Sequence, residues 1–311
     1  MHAGDPHGIP CFAFNALLPV CPDETARDDD AGTAAPAGEL RVVATPIGNL
    51  GDLSPRAVEA LRTADLILCE DTRHSRPMLR HFDVHAPVEA LHEHNEASMV
   101  ASVVSRLRQG QQVALISDAG TPLISDPGDR LVHAVIEAGL RVTPIPGASA
   151  LLAALVGAGL GSGPFTFVGF LERKGKERQR QLTFLSVHPF RSVLYEAPHR
   201  LGTTLSDLVS HGCGARRAVV ARELTKHFEE FRRGTVAELA EYYREASVRG
   251  EVALVLDGAT TKEPVVDPAA VQRAVRDWRA AGASTREVAV RLVEECGMTR
   301  NEAYRLSLEE P

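Results

Sequence analysis

The 311-residue sequence predicts an α/β fold, with two alternating α/β domains and a small helical domain after them. Three observations predict it. Apolar runs of strand length alternate with helix-length segments from residue 40 to residue 256, the pattern of βαβ units around a mainly parallel sheet. A glycine-rich stretch at 157–164 interrupts the alternation midway. Beyond residue 267 only helical periodicity remains.

Residues 1–39 contain an Asp-Asp-Asp run and Ala/Gly/Pro/Thr-rich sequence without apolar periodicity, and are expected to be disordered. The first α/β domain then covers 40–160. Its opening strand is 40–45, and Ser54 caps a helix whose first position is Pro55. Further strands fall at 65–69, 88–91, 113–117 and 141–145. Helices follow up to Phe82, then near 96–107, at 129–138 and at 148–156. The second domain, 161–258, places strands at 165–170, 192–195, 218–222 and 252–256. The polar segment 227–234 runs directly from the third of these and reads as a hairpin, so this sheet is expected to be mixed. A polar linker at 259–267 leads into the C-terminal domain, 259–311, with helices at 268–281, 284–295 and 299–308. Ser284 with Glu287, and Thr299 with Glu302, fit the S/T-x-x-E capping box, and Gly297 stops the helix between them. Two short capped helices around a tight turn resemble a helix-turn-helix.

Composition narrows the class. Hydrophobic residues at 44% and charged residues at 24% exclude a collagen-like, mainly disordered or multi-span membrane chain. The net charge of −7 belongs to the first 39 residues, which hold seven acids against one arginine and leave the rest near neutral. Cysteines at 11, 21, 69, 213 and 296 are scattered and odd in number, which argues against a disulfide framework and against structural zinc. No metal is expected, and a reducing, cytoplasmic home fits. Residues 142–171 carry no charge, but prolines and glycines divide them into pieces too short to span a membrane.

The absence of a G-x-x-x-x-G-K-[ST] loop, of H-E-x-x-H and of G-x-S-x-G lowers the readings as a nucleotide triphosphatase, zinc hydrolase or serine hydrolase. Gly157, Gly159, Gly161 and Gly163 follow a helix and precede a strand, the reverse of a dinucleotide-binding loop, and read as an interdomain connection. Three turns stand out instead: 44–50, 117–128 and 145–149. Any one would serve as a tight turn. Three at the carboxyl ends of strands in one sheet point to a ligand site. The three turns contain no Lys or Arg, so they suit a ligand held through backbone groups rather than a pyrophosphate.

The runs VATPIGNLGD (43–52), LILCEDTRHS (66–75), LHEHNE (91–96), LISDAGTPLISDPG (115–128), TPIPGASA (143–150), LYEAPHR (194–200), ARELTKHFEE (221–230) and GEVALVLDG (250–258) resemble the tetrapyrrole methylase superfamily. Within it they resemble the ribosomal RNA small subunit methyltransferase I family. That resemblance implies S-adenosylmethionine as methyl donor and, as acceptor, the ribose 2′-oxygen of cytidine 1402 in 16S rRNA of the small ribosomal subunit. It also implies a folded cofactor in a cleft between the two α/β domains, touching Ile47, Thr121, Ile124, Ser149 and Ala150 from the first domain and Leu171, Ala221 and Glu251 from the second.

Methyl transfer from a sulfonium is an in-line displacement, and a ribose hydroxyl is helped by a group that takes its proton. Glu70, Asp71, Asp118 and Glu196 at strand ends are candidates, with Asp118 inside the central loop and Asp71 equally placed to cap a helix. His92, His94 and His199 are further candidates. RNA needs cations. Arg173, Lys174, Lys176, Arg178 and Arg180 cluster just past a strand, and Arg73, Arg76, Arg200, Arg222 and Lys226 lie near other strand ends. Aromatics at 5% are too few for stacking on many bases, so phosphate and shape contacts are expected. Two other readings compete: a superfamily enzyme with a corrinoid or protein substrate, and a nucleic-acid-binding regulator using the C-terminal helices. The assembly is left open between monomer and homodimer.

Overall fold

The computed structural model describes residues 37–308 apart from 93, 246–247, 260–267, 297 and 299. The expected N-terminal disorder up to residue 36, the linker at 260–267, the Gly297 stop and the Thr299 capping box lie outside the described residues.

The first half runs β1 (Glu39–Val43), α1 (Pro55–Arg62), β2 (Leu66–Cys69), α2 (Thr72–His81), β3 (Val88–Ala90), α3 (Glu96–Arg108), β4 (Val113–Ile116), α4 (Asp129–Glu137), β5 (Arg141–Ile145) and α5 (Ala150–Ala158). Its strands pair in the order β3-β2-β4-β1-β5, all parallel. A parallel sheet covered on both faces needs apolar residues on both, and every residue of β2 and β4 is buried. Val43, Ile67, Cys69, Ala114 and Ile116 face α1 and α2, while Leu40, Val42, Leu66, Leu68, Val113 and Leu115 face α3 and α4. Glu39, expected to be disordered, instead opens β1: its carboxylate accepts from Thr143 Oγ1 at 2.6 Å and from Arg41 Nε at 2.8 Å.

The second half runs β6 (Phe165–Phe170), α6 (Gly175–Val187), β7 (Arg191–Glu196), α7 (Leu201–Leu208), β8 (Arg217–Arg222), β9 (Glu230–Thr235), α8 (Val236–Tyr242) and β10 (Val252–Leu256). The order is β6-β7-β10-β8-β9, with only β6–β7 parallel, so the sheet is mixed and β8–β9 is the expected hairpin. Helices α6, α7 and α8 cover one face through Leu182, Leu185, Leu201, Leu205, Leu208, Val236 and Leu239. The other face is covered by α5, whose Ala154 and Ala158 meet Val193, Val219, Ala221, Ala253 and Val255. Small residues let this helix lie close: a Cβ at Gly157 would collide with the Phe231 ring.

Arg178, one of the cations grouped with the RNA-facing residues in the sequence, is a structural residue. It is 6% exposed. Its Nε and Nη2 donate to Asp207 Oδ2 at 3.0 and 2.6 Å, and Nη1 donates to the Glu172 carbonyl at 2.8 Å, tying α6 to α7. Arg178→Ala would strand the Asp207 carboxylate, itself 35% exposed, so a loss of about 3 kcal/mol is expected, at the lower end for a buried pair. Urea unfolding checks it; a loss under about 1 kcal/mol would mean the pair is solvated.

Three further helices, α9 (Pro268–Ala280), α10 (Thr285–Cys296) and α11 (Arg300–Leu308), pack around Val271, Val275, Val288, Leu292 and Ala303. The Ser284 capping box forms, with Glu287 N donating to Ser284 Oγ at 3.3 Å and Ser284 N to Glu287 Oε2 at 2.8 Å. Among the described residues no helix is long and apolar enough to cross a membrane.

Candidate active site

Strands β4, β1 and β5 are adjacent and parallel, so the loops at their carboxyl ends emerge side by side. These are the three turns singled out from sequence, and hydrogen bonds zip them together. Thr45 N donates to Gly120 O at 2.8 Å and Gly120 N to Thr45 O at 3.1 Å. Thr121 Oγ1 donates to Ala148 O at 3.1 Å, and Ser149 caps α5. Gly120 sits at φ +85°, where an added Cβ would lie 3.2 Å from Ile47 Cγ2, so the first two loops approach through a glycine.

Because β10 is antiparallel to β7 and β8, its beginning lies at the same edge as their ends. That edge and the three loops enclose a cavity of about 370 Å³, within the size range of small-molecule sites. Tyr195 spans it, accepting from Leu151 N at 3.0 Å and so fixing the first turn of α5. Four non-glycine residues on the surrounding loops adopt positive φ: Leu123 (72°), Ser125 (73°), Glu223 (52°) and Thr225 (64°). Such conformations persist only where their surroundings over-determine them, and they gather at ligand sites.

Of the positions implied by the resemblance, Ile47, Thr121, Ile124, Ser149, Ala150 and Glu251 line the cavity. Leu171 and Ala221 do not. Leu171 is buried in the core beneath α6 and α7, and its carbonyl accepts from Arg200 Nη2 at 2.7 Å. Ala221 lies a layer lower, packed under α5. Asp118 and Glu196 line the cavity, whereas Glu70 and Asp71 lie past the end of β2, where Asp71 N donates to Asp118 Oδ1 at 3.1 Å. Asp71 caps α2 and pairs with Arg73 at 2.8 Å; that bond holds its carboxyl at about 2, making it a weak base. Partial burial, then the Asp118 and Asp71 charges, push Glu70 up.

The cations separate into two sets. Lys226 Nζ bridges Glu223 and Glu251 at 3.0 Å each, and its stem lies over Gly48. Arg200 pairs with Glu196 at 3.3 Å, and Arg222 with Glu230 at 3.0 Å. Arg173, Lys174 and Lys176 are exposed at the start of α6.

Sequence reasoning missed Asp126. It lines the cavity one residue past the strained Ser125. Burial, then the Glu70 charge and more weakly Asp118, push its carboxyl up to about 6 despite the Ser117 hydroxyl beside it. The Ser-Asp-Pro-Gly run holding it reads as a turn, and only the fold brings Glu70 and Asp118 near.

Asp118, Asp126, Glu196 and Glu251 make the lining acidic, and no Lys or Arg is among the residues that line it. Ile47, Ile124, Phe170, Leu224 and Val252 supply apolar surface. The site therefore fits a ligand with a cationic centre and a flat apolar part, as S-adenosylmethionine has.

The model of the family described as Tetrapyrrole (Corrin/Porphyrin) Methylases matches residues 39–240. The protein named "Ribosomal RNA small subunit methyltransferase I" of Synechocystis sp. is 46% identical over 273 residues, 88% of this chain and 98% of that one. Its namesake in Xylella fastidiosa is 50% identical over 228 residues, 73% and 84% of the two chains. The solved structure of uroporphyrin-III C-methyl transferase from Thermus thermophilus, complexed with S-adenyl homocysteine, matches with a TM-score of 0.51 at 20% identity, over 71% of this chain and 97% of that one, and shows the shared fold. With its two sheets, its three zipped loops and this extent of identity, the chain belongs to the ribosomal RNA small subunit methyltransferase I family of tetrapyrrole methylases.

Proposed function

We propose that this protein transfers the methyl group of S-adenosylmethionine to the ribose 2′-oxygen of cytidine 1402 in 16S rRNA, acting on the small ribosomal subunit. The acidic, partly apolar cavity where three zipped loops meet the second sheet carries this reading. S-adenosylmethionine, when bound, supplies a methyl group on a sulfonium, so the protein's task is to bind, orient and accept a proton. Orientation comes from loops already held to one another, which lowers the entropic cost of aligning donor and acceptor.

Asp126 takes the proton of the 2′-hydroxyl. Of the four carboxylates on the cavity, Glu196 is held by Thr204 and Arg200, Glu251 by Lys226, and Asp118 accepts the Asp71 amide. Asp126 makes no ion pair among the described residues, and its proton affinity, raised to about 6, lies close to working pH, where a general base is most effective. Arg173, Lys174 and Lys176 supply phosphate contacts, and the ion-paired Arg73, Arg200 and Lys226 are further RNA-facing cations in this reading. This reading places the protein in the cytoplasm.

The test is transfer from labelled S-adenosylmethionine to small subunits lacking the modification. The label is expected on the ribose of cytidine 1402; label on a base or on ribosomal protein would overturn the reading. Light scattering on the same preparation separates a monomer from a homodimer.

A further inference from the structure

Beside the acidic cavity lies a second hollow of about 300 Å³, lined by Arg173, Arg178, His199, Arg200, Thr203 and Thr204. Its chemistry is the reverse of its neighbour's. Three guanidiniums and an imidazole line it, no carboxylate is among its lining residues, and Asp207 and Glu196 are engaged by Arg178 and Arg200. Arg200 is held in place, with Nη2 donating to the carbonyls of Leu171 at 2.7 Å and Glu172 at 3.2 Å. Arg178 is fixed as well, by Asp207, the Glu172 carbonyl and Thr204 Oγ1 at 3.1 Å. Arg173, at the rim, is exposed and makes no hydrogen bond or ion pair among the described residues.

The two cavities share a wall. Glu196 lines the acidic one, and its side chain is 1% exposed. From the other side its Oε2 accepts from Thr204 Oγ1 at 2.6 Å and its Oε1 lies 3.3 Å from Arg200 Nε. A group held at Arg200 is therefore one side chain away from the methyl-transfer cavity.

Arg178 and Arg200 use most of their N–H donors on Asp207, Glu196, Thr204 and the carbonyls of Leu171 and Glu172, so they hold the walls of the hollow. The exposed guanidinium of Arg173, with the Thr203 hydroxyl beside it, is what a phosphate group would meet. We propose that this hollow seats a backbone phosphate of the RNA strand next to the nucleotide whose ribose enters the acidic cavity. The proposal rests on the methyltransferase reading and adds to it where the strand is gripped. Arg173 closes over the phosphate, Thr203 donates its hydroxyl, and Arg200 joins the grip to the Glu196 wall.

The test uses the full chain and small subunits lacking the modification. Arg173→Ala should weaken subunit binding about tenfold, the loss of one charge-assisted hydrogen bond. It should also reduce the slope of log affinity against log salt by about one. Arg173→Lys should keep the slope, and Thr203→Val should weaken binding with the slope unchanged. Affinity for S-adenosylhomocysteine should stay within twofold in all three variants. A second arm adds inorganic phosphate to the chain without RNA. If millimolar phosphate raises the melting temperature of the natural chain but not of Arg173→Ala, while subunit binding is the same for both, the hollow serves a free anion and the proposal falls. A tenfold loss of S-adenosylhomocysteine affinity would overturn it too, by giving the hollow to the cofactor's carboxylate. Failure of the natural chain to methylate subunits would instead overturn the underlying reading. Normal methylation with an unchanged salt slope in Arg173→Ala overturns the phosphate seat alone.

Discussion

Asp126→Asn is expected to slow methyl transfer by about 10²- to 10⁴-fold, the range for losing a general base, and to raise the melting temperature at neutral pH. The second effect follows from linkage. Asp126 has a folded-state proton affinity of about 6 against an ordinary 3.8, so between those values the folded chain binds the proton more tightly than the unfolded one. Its ionisation thus costs stability, fully above about pH 6 and not at all below about pH 3.8. The neutral amide removes that cost, so the variant should melt higher at pH 7–8 and match the natural chain below pH 4. The natural rate should fall with acid through pH 6, and the residual rate of the variant should not. A residue serving only the fold would lose stability on replacement, so the opposite signs are diagnostic. Full activity in the variant would move the proton to another group, with Asp118 next in line.

Ser149→Trp should abolish binding of S-adenosylhomocysteine in calorimetry. The serine lines the cavity and caps α5, with its Oγ accepting from Leu152 N at 3.5 Å. Losing the cap costs about 1 kcal/mol, a few degrees of melting temperature. The larger effect is steric, since an indole takes up much of a 370 Å³ cavity. Normal affinity with a folded protein would put the ligand elsewhere.

The strands and the three turns were legible because a doubly covered parallel sheet writes itself as short apolar runs ended by turn residues. That the turns converge depends on the order β4-β1-β5, a pairing of segments distant in sequence. The end of β6 shows what local pattern hides. The β6–β7 register shifts between Phe167 and Gly169, and an irregularity of this kind disturbs the simple alternation of faces. Phe170 accordingly reaches the cavity and Leu171 the core. Arg178 looks like part of a solvated charge run until Asp207 arrives from α7. Asp126 looks like a turn residue until Glu70 and Asp118 surround it. The short helices α7 and α8 left little periodicity to read; α8 depends on the Thr235–Glu238 capping box.

Helix α5 is continuous in sequence with the first sheet but packs on the second. A transplant of the second sheet into another scaffold therefore has to begin at Ser149, not at the glycines of 157–164. Starting later leaves Val193, Val219, Ala221, Ala253 and Val255 as a bare apolar face, prone to self-association. By the same logic, a backbone nicked between Gly159 and Pro164 should run as one particle on a sizing column, because the cut ends remain joined through the buried face of α5.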